Sequence, residues 1–337
     1  MQVQQNVSLK QYNTFGMDVL ARQFATFANQ EELNELLVAS SGQKQLVLGG
    51  GSNILLLNHF DGWVLKNEIR GITVIRQDEE FIYVKAGAGE NWHQLVLYCV
   101  QNNFAGLENL SLIPGNVGAS PMQNIGAYGV EVKEVVEEVE AWHIQEQKLV
   151  TFSNTACEFG YRESVFKRKL KNQLVIMSVT YRLRRHPVFH TSYGAIQKEL
   201  EEMGVKELTL KSVSEAVIRI RSSKLPDPAR IGNAGSFFKN PSVSREQMEQ
   251  LRQQYPSLVA YENADGSWKL AAGWLIEQCG WKGFRRGDAG CHAQQALVLV
   301  NYGSSTGKEI YQLSEEILQS VAVKFGVALE REVNMIA

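Results

Sequence analysis

The sequence has few cysteines and no closely spaced pair of them. Cys99, Cys157, Cys279 and Cys291 lie far apart in the chain, and there is no C-x-x-C motif. This spacing gives no indication of a zinc site or a redox dithiol, so we expect no bound metal. The four side chains are instead expected to pack as small hydrophobic groups.

Long apolar runs and an excess of basic residues are also missing. Runs such as Ile54–Leu57 are far too short to span a membrane. The net charge is −2 and the pI is near 6.4, which argues against a nucleic-acid partner. The first residues, Met1–Gln5, lack a secretion signal pattern. We therefore expect a cytoplasmic protein, and a length of 337 residues predicts two or three domains.

The common nucleotide-binding fingerprints are incomplete. Gly87–Trp92 begins like G-x-G-x-x-G, but a tryptophan stands where the third glycine belongs. Gly303–Lys308 is one residue short of a P-loop, and Glu309 occupies the position that needs Ser or Thr. A dinucleotide site in this chain would therefore not be of the Rossmann type.

Two glycine-rich loops are present. Gly49-Gly50-Gly51-Ser52-Asn53 follows an apolar run, Leu46–Leu48, that is expected to be a buried strand. Pro114-Gly115-Asn116-Val117-Gly118-Ala119 is followed closely by Gln123–Gly129. Such loops can direct main-chain N–H groups at a pyrophosphate, while the side-chain amides suit heteroaromatic edges. Plain tight turns and structural glycines are the alternatives.

Helix and strand patterns alternate along the chain. Asn29-x-x-Glu32 starts a predicted helix that Gly42 stops, and Thr306-x-x-Glu309 starts another that Gly326 stops. The second helix has a regular apolar face, formed by Ile310, Leu313, Ile317, Val321 and Phe325. Strands are predicted at the following segments: 72–75, 81–84, 135–142 and 174–183. Pro226 and Pro228 mark a predicted boundary.

The segment from Arg230 to Pro241 carries the strongest chemical pattern. Gly232 and Gly235 permit close approach to a ligand, and Ser236 then stands before two phenylalanines that can exclude water. Lys239 and Asn240 add a cation and an amide. These parts suit a hydroxyl that delivers a proton to an anionic substrate. A glycine turn that leads into a strand is the alternative.

Two charged residues are further candidates. Arg162, in Tyr161-Arg162-Glu163-Ser164, can hold a carboxylate with two hydrogen bonds, although a surface salt bridge is the simpler interpretation. Glu332 lies near the C-terminus, where a solvated acid is the default. No second acid or base stands near His186 or His190 at a spacing that indicates catalysis, so we assign no catalytic role to either histidine.

Taken together, these motifs resemble the UDP-N-acetylenolpyruvoylglucosamine reductase family, the flavoenzymes that make UDP-N-acetylmuramate for bacterial peptidoglycan. The resemblance runs over nearly the whole length, from Tyr12–Gly16 through the glycine loops to Glu332-Val333. It also includes Tyr161–Ser164, Gly232–Pro241 and Leu270–Ile276.

The resemblance implies an α+β fold with FAD-binding domains of the vanillyl-alcohol-oxidase type. The expected domains are 1–70 together with 330–337, and 71–221, both holding FAD, and a substrate-binding domain at 222–329. Gly49–Asn53 contains no histidine or cysteine for covalent attachment, so noncovalent FAD is implied. NADPH would be the hydride donor, and the protein is expected to be a monomer.

The resemblance also implies site residues. Ser236 would protonate the carbon next to the substrate carboxylate, and Arg162 and Glu332 would stabilise the developing charge there. Tyr193 would close over the uridine diphosphate, as in one subgroup of the family. The other substrate-binding positions are Lys224, Lys239, Asn240 and Gln295. The FAD-binding positions are Tyr12, Asn13, Thr14, Gly49, Gly50, Gly51, Ser52, Asn53, Pro114, Gly115, Asn116, Gly118, Ala119, Gln123, Asn124, Ile125 and Gly126.

One position departs from the family pattern, and two other functions compete. The family commonly continues its last motif as Glu-Val-Arg, whereas this chain has Glu332-Val333-Asn334, and Glu330 is a competing carboxylate.

An alcohol oxidase on the same fold would need a base near the flavin and would not need Ser236 with Lys239. A nucleotide-sugar binding protein without chemistry would explain the loops and lysines but not a bound flavin.

Overall fold

The computed structural model describes residues 2–337. The helices are α1 Gln30–Ala39, α2 Trp92–Gln101, α3 Gly194–Glu202, α4 Leu210–Lys224, α5 Arg245–Gln254, α6 Ala272–Gln278 and α7 Gly307–Phe325. The strands are β1 Gln4–Ser8, β2 Leu20–Phe27, β3 Gln45–Leu48, β4 Ile54–Leu56, β5 Phe60–Asn67, β6 Ile72–Gln77, β7 Phe81–Gly87, β8 Gly126–Ala127, β9 Val130–Glu131, β10 Val136–His143, β11 Lys148–Ser153, β12 Leu174–Arg184, β13 Gly232–Ser236, β14 Ser242–Val243, β15 Ala260–Glu262, β16 Trp268–Leu270, β17 Arg285–Arg286, β18 Ala289–Cys291, β19 Val298–Asn301 and β20 Asn334–Ile336. Within these residues, no helix is both long enough and apolar enough to cross a bilayer.

The chain divides into two compact units. The larger unit comprises Met1–Val7, Ala21–Gly50 and Asp61–Ser223, and the smaller unit comprises Ser8–Leu20, Gly51–Phe60 and Lys224–Ala337. One boundary therefore falls inside the first glycine loop, between Gly50 and Gly51. The expected division into three domains stays a prediction.

The larger unit contains two principal sheets. One has the order β1-β2-β5-β3, with β3 parallel to β5. The other has the order β11-β10-β12-β7-β6, and its neighbours are antiparallel. The strands predicted at 72–75, 81–84, 135–142 and 174–183 are confirmed as β6, β7, β10 and β12. A short charged turn between β6 and β7 permits the antiparallel hairpin that their alternating apolar residues favour.

Apolar side chains from strands and helices form the core of this unit. Trp92 and Tyr181 are fully buried and meet edge to face, with ring centroids 5.9 Å apart. Trp92 also donates its indole N–H to the Leu110 carbonyl at 2.9 Å, which satisfies its one polar atom. A second cluster joins α1 and β5 to Trp142 and Met177 of the other sheet. The two sheets thus share apolar packing within one unit.

The prediction for the start of α1 is confirmed. The Asn29 side chain accepts the Glu32 N–H at 2.8 Å, while the Glu32 carboxylate accepts the Ala28 N–H at 2.7 Å. These reciprocal bonds satisfy donors that the first helical turn leaves open.

The following strand, β3, is also present, but the expectation that it is buried is wrong for Val47, which is 37% exposed. β3 lies at the edge of its sheet, where its side chains have a neighbouring strand on one side only.

The smaller unit contains three sheets and the longest helix of the described chain. The sheet orders are β13-β19-β18-β17, β14-β16-β15 and β20-β4. α7 begins with the predicted Thr306–Glu309 capping box and ends at Gly326, whose φ is +64°. All five residues of its predicted apolar face are buried.

Cys99, Cys157 and Cys291 are buried free thiols, as expected, whereas Cys279 is only half-buried.

Candidate active site

Within the larger unit, the start of the first glycine loop lies against the second loop. A Cβ on Gly50 would stand 2.8 Å from the Gly115 Cα and 2.7 Å from the Asn116 side-chain oxygen. Only a residue without a side chain can occupy this position, because the neighbour on one side is backbone. The structure thus brings together two loops that the sequence predicts to bind one cofactor.

These loops retain main-chain donors for a ligand. Among the described residues, the N–H groups of Gly50, Gly115 and Asn116 donate to no protein acceptor. The second loop is anchored to the segment before α2, because Val117 N donates to Glu90 O and Gly118 N donates to Ala88 O, both at 2.9 Å. A concave set of open N–H groups is the donor set that a pyrophosphate requires. The residues therefore fit the predicted dinucleotide.

The segment that supports the second loop was not foreseen as part of the site. Asn116 donates its side-chain amide to Gly89 O at 2.6 Å, and Trp92 N donates to Gly115 O at 3.0 Å. Gly87 and Gly89 belong to the incomplete nucleotide fingerprint, yet each is needed where the backbone passes close to Ile69. The glycine spacing alone does not identify this supporting role.

The amide-rich segment after the second loop positions Arg162. Asn124 is fully buried, and its side chain binds the Gly160 carbonyl at 2.9 Å and the Lys133 N–H at 3.1 Å. Arg162, at a φ of +55°, donates to the carbonyls of Asn124 at 3.3 Å and Gly126 at 2.8 Å. A candidate catalytic cation therefore rests on predicted cofactor-binding residues. The amide of Asn124 is thus used by protein groups, which include the Glu131 carboxylate at 3.0 Å.

Tyr193 stands at the N-terminus of α3 and is 51% exposed. Its ring meets the ring of Tyr128 edge to face, with centroids 5.6 Å apart. Tyr128 also interacts with the guanidinium of Arg221, whose Nε donates to Leu112 O at 3.2 Å. Neither Tyr128 nor Arg221 was singled out by its sequence pattern. In the sequence, Arg221 is one of two arginines near the end of α4, and nothing in the pattern separates it from Arg219.

In the smaller unit, Tyr12–Thr14 pack on the second half of the first glycine loop. A Cβ on Gly51 would stand 2.0 Å from Tyr12 O, and Gly51 has a φ of +61°. Thr14 N donates to Gly51 O at 3.1 Å. Asn13 is buried and organises its own turn, donating to Leu9 O at 2.7 Å and accepting from Met17 N at 2.9 Å. These predicted cofactor residues are thus brought together.

Ser236 ends strand β13 and is exposed, while Phe237 and Phe238 behind it are buried. Gly235, at a φ of +70°, and an irregularity in the pairing of β13 with β19 redirect the chain just before Ser236. The strand starts on the Tyr12–Thr14 turn, since Asn233 N donates to Thr14 O at 3.0 Å. A rigid apolar base therefore presents the serine hydroxyl.

Glu332 is brought next to the Ser236 segment. Glu332 N donates to Phe237 O at 2.8 Å, and Lys239 N donates to Glu330 O at 2.9 Å. Phe238 and Arg331 pair between these two bonds. Lys239 also forms an ion pair with the exposed Glu330 carboxylate at 3.2 Å. A short antiparallel ladder therefore holds Ser236, Lys239 and Glu332 in one region.

The C-terminal segment also contacts the end of the first glycine loop. Asn334 donates to Asn53 O from its main chain at 3.1 Å and from its side chain at 3.0 Å. Beyond it, β20 runs parallel to β4. Asn334, which stands where the family commonly has arginine, thus ties this ladder to a predicted cofactor residue.

Of the remaining predicted substrate residues in the smaller unit, two contact α6 and one is exposed to solvent. The Asn240 side-chain oxygen accepts a hydrogen bond from Ala272 N at 2.9 Å. Asn240 therefore also satisfies the first main-chain donor of α6. Gln295 lies over Gly273, where a Cβ would stand 3.2 Å from its side-chain oxygen. Lys224 is exposed at the end of α4.

The P-loop-like segment Gly303–Lys308 lines a separate cleft of about 430 Å³ together with residues such as Lys10 and His59. The N–H groups of Gly303 to Thr306 are already used by side chains: for example, Asp288 accepts from Ser304 N at 2.8 Å, and Glu309 accepts from Thr306 N at 2.7 Å. The segment is the cap of α7 and does not form a phosphate loop.

Comparison with known families first defines the class of protein. The model of the FAD-binding domain matches residues 21–153. The model of the C-terminal domain of UDP-N-acetylenolpyruvoylglucosamine reductase matches residues 227–336. Both matches agree with the two glycine loops and the Ser236–Glu332 region. The chain is a flavoprotein that carries a C-terminal domain specific to one group of reductases.

Full-length relatives then identify the family. The UDP-N-acetylenolpyruvoylglucosamine reductases of Flavobacterium johnsoniae and Amoebophilus asiaticus are each 50% identical to this chain and are matched over 100% of both sequences. The chain belongs to the UDP-N-acetylenolpyruvoylglucosamine reductase family. The crystal structure of the Thermus caldophilus reductase is 24% identical and has a TM-score of 0.70 over 100% of both chains, which shows the same fold.

These findings confirm the fold class predicted from the sequence and identify FAD as the cofactor. The chain is a flavin-dependent oxidoreductase. A nucleotide-sugar binding protein without chemistry is therefore ruled out. The roles of single residues stay predictions.

Proposed function

We propose that this chain reduces UDP-N-acetylglucosamine enolpyruvate to UDP-N-acetylmuramate, a step of peptidoglycan precursor synthesis, with NADPH as the hydride donor. The names of the relatives matched over the whole chain support the substrate. The observation that carries the proposal is the ladder that holds Ser236 and Glu332 together, because reduction of an alkene needs a proton donor beside the reacting carbon.

When bound, FAD supplies to the terminal alkene carbon the hydride that it has received from NADPH. Negative charge then develops toward the substrate carboxylate. Arg162, oriented by the carbonyls of Asn124 and Gly126, stabilises that charge. Ser236 gives its proton to the carbon next to the carboxylate, and the buried phenylalanines behind it limit access of water.

Glu332 assists as a neutral acid, since a bare anion would oppose the developing charge. Both acids lie on the same ladder, but Glu330 is exposed and paired with Lys239 whereas Glu332 is half-buried, which supports Glu332 over Glu330. Lys224, Lys239, Asn240 and Gln295 bind the nucleotide-sugar, and Tyr193 closes over its diphosphate. FAD is held without a covalent bond by the two glycine loops.

We extend the proposal to the organisation of the chain. The presence of two different sheets supports subdomains at 1–70, together with 330–337, and at 71–221. The substrate domain, 222–329, begins where α4 ends. We further propose a cytoplasmic monomer: sedimentation of the purified protein would test the oligomeric state, and fractionation of cells would test the location.

The test is turnover with a defined product. Purified protein incubated with NADPH and the enolpyruvyl UDP-sugar should oxidise one NADPH for each UDP-N-acetylmuramate formed, as measured by absorbance and mass spectrometry. UDP-N-acetylglucosamine, which lacks the alkene, is the control and should cause no substrate-dependent oxidation. NADPH oxidation without the product would contradict the proposal.

A further inference from the structure

Arg221 is a cation for which the described protein provides no counter-ion. It projects from α4, is partly buried, and its polar contacts are the carbonyl of Leu112 at 3.2 Å and the hydroxyl of Tyr128. Both partners are neutral. No carboxylate within residues 2–337 forms an ion pair with it.

Arg221 also lies in the electrostatic range of Arg162. Burial lowers the pKa of the Arg221 guanidinium, Tyr128 opposes the shift, and Arg162 adds to it. A guanidinium stays protonated in proteins, so two positive charges are held near one another at a cost in stability. An anion bound near both guanidinium groups would offset this repulsion.

Tyr128 connects this cation to two elements of the proposed site. It follows Gly126, the residue whose carbonyl accepts from Arg162, by two positions, and it has a φ of +51°. Its ring packs against Tyr193 and against the apolar contact of α3 with α4. Arg221, Tyr128, Arg162 and Tyr193 all belong to the larger unit, so their grouping lies within one unit.

We propose that Arg221, positioned by Tyr128, binds an oxyanion of the UDP-sugar substrate together with Arg162. This inference rests on the proposed function and adds a binding residue to it. The planar guanidinium suits both oxyanions of that substrate, the carboxylate of the enolpyruvyl group and the diphosphate. Ligands that carry one or both of these groups distinguish the two sources.

The test measures ligand binding by calorimetry on the oxidised, FAD-loaded enzyme, with no turnover. Arg221→Met removes the charge and keeps an unbranched chain. Arg219→Met makes the same change on the same helix at an exposed ion pair with Glu199 and serves as the control. The ligands are the enolpyruvyl UDP-sugar, which has both oxyanions, and UDP-N-acetylglucosamine, which has only the diphosphate.

We expect Arg221→Met to weaken binding of the enolpyruvyl ligand by about 10- to 100-fold, the range for a charged hydrogen bond. Arg219→Met should change it by less than about twofold. If UDP-N-acetylglucosamine binds normally to Arg221→Met, the carboxylate is the bound group. If it is weakened equally, the diphosphate is the bound group.

Unchanged binding of both ligands to Arg221→Met would overturn the inference. A defect confined to flavin reduction by NADPH would overturn it as well, because the anion would then belong to the dinucleotide.

A second variant covers the case in which Arg221→Met loses FAD or unfolds. Arg221→Lys keeps the charge but not the planar guanidinium, and it should still bind the enolpyruvyl ligand about 10-fold more weakly. Normal binding by Arg221→Lys would then contradict the proposal. Failure of the wild type to bind the ligand would instead count against the proposed function.

Discussion

At the residue scale, the proposed chemistry depends on an exposed hydroxyl on a rigid base. Ser236 lies at the end of a strand, and buried phenylalanines and a positive-φ glycine hold its backbone. The backbone on both sides of the exposed hydroxyl is therefore fixed by packing and by chain geometry. This makes the effect of removing its hydroxyl easy to interpret.

Ser236→Ala should separate the two half-reactions. Reduction of the flavin by NADPH needs no proton from Ser236 and should stay close to the wild-type rate. Reoxidation by the enolpyruvyl substrate should slow by about 10²–10⁴-fold, the range for a lost acid–base group. Stopped-flow absorbance of the flavin measures both rates. Ser257→Ala, at an exposed position of the same unit, is the control, and equal slowing of both half-reactions would exclude Ser236 as the proton donor.

The two neighbouring carboxylates should differ in their effects on the rate. Glu332→Ala removes the carboxyl group of a residue whose main chain is bonded to Phe237, and it should lower kcat by about 10²–10³-fold, as for other groups that stabilise developing charge. Glu330→Ala removes an exposed partner of Lys239 and should act mainly on KM. Steady-state assays of both variants give the comparison. A larger loss of kcat in Glu330→Ala would reverse the assignment.

At the element scale, the two glycine loops are the parts in which sequence and structure agree most directly. Gly50 lies so close to Gly115 that a methyl group would press on backbone atoms. We expect Gly50→Ala to weaken FAD binding by about 1 to 3 kcal/mol, the typical cost of overpacking. Fluorescence titration of the apoprotein with FAD measures this change.

The control for Gly50 is Gly194→Ala, because a Cβ on Gly194 meets no atom within 4 Å and its backbone is helical. Gly194→Ala should bind FAD like the wild type. Normal FAD binding by Gly50→Ala would contradict the role of the loop contact.

The segment before α3 should act as a lid. Tyr193 is half exposed and contacts Tyr128 through its ring edge. Tyr193→Phe keeps that ring contact and loses the hydroxyl, so it should raise KM for the UDP-sugar while flavin reduction by NADPH stays unchanged. Tyr261→Phe, at an exposed tyrosine of the smaller unit, is the control. A normal KM in Tyr193→Phe would remove this hydroxyl from the site.

Local patterns predicted the elements better than the contacts between distant residues. The capping box and apolar face of α7 lie within one continuous segment, Thr306 to Phe325, and were recognisable directly. The partners of Arg221 are Leu112 and Tyr128, which lie about a hundred positions away in the chain. Neither helical periodicity nor turn chemistry carries information over that distance. The buried interpretation of β3 failed for the same reason, since an edge position depends on the order of strands.

At the scale of the whole molecule, FAD should be bound tightly but reversibly. The protein should purify yellow, and acid precipitation should release all of the flavin into the supernatant, because Gly49–Asn53 contains no residue for attachment. Absorbance of the supernatant and the pellet measures the partition. Yellow colour that stays with the pellet would show covalent attachment.

The most direct test of the central claim is a single turnover without oxygen. Addition of one equivalent of NADPH to the wild-type enzyme should bleach the flavin absorbance. Subsequent addition of the enolpyruvyl UDP-sugar should restore it with formation of UDP-N-acetylmuramate, whereas UDP-N-acetylglucosamine should leave it bleached. A flavin that stays reduced in the presence of the enolpyruvyl substrate would contradict the proposed reaction.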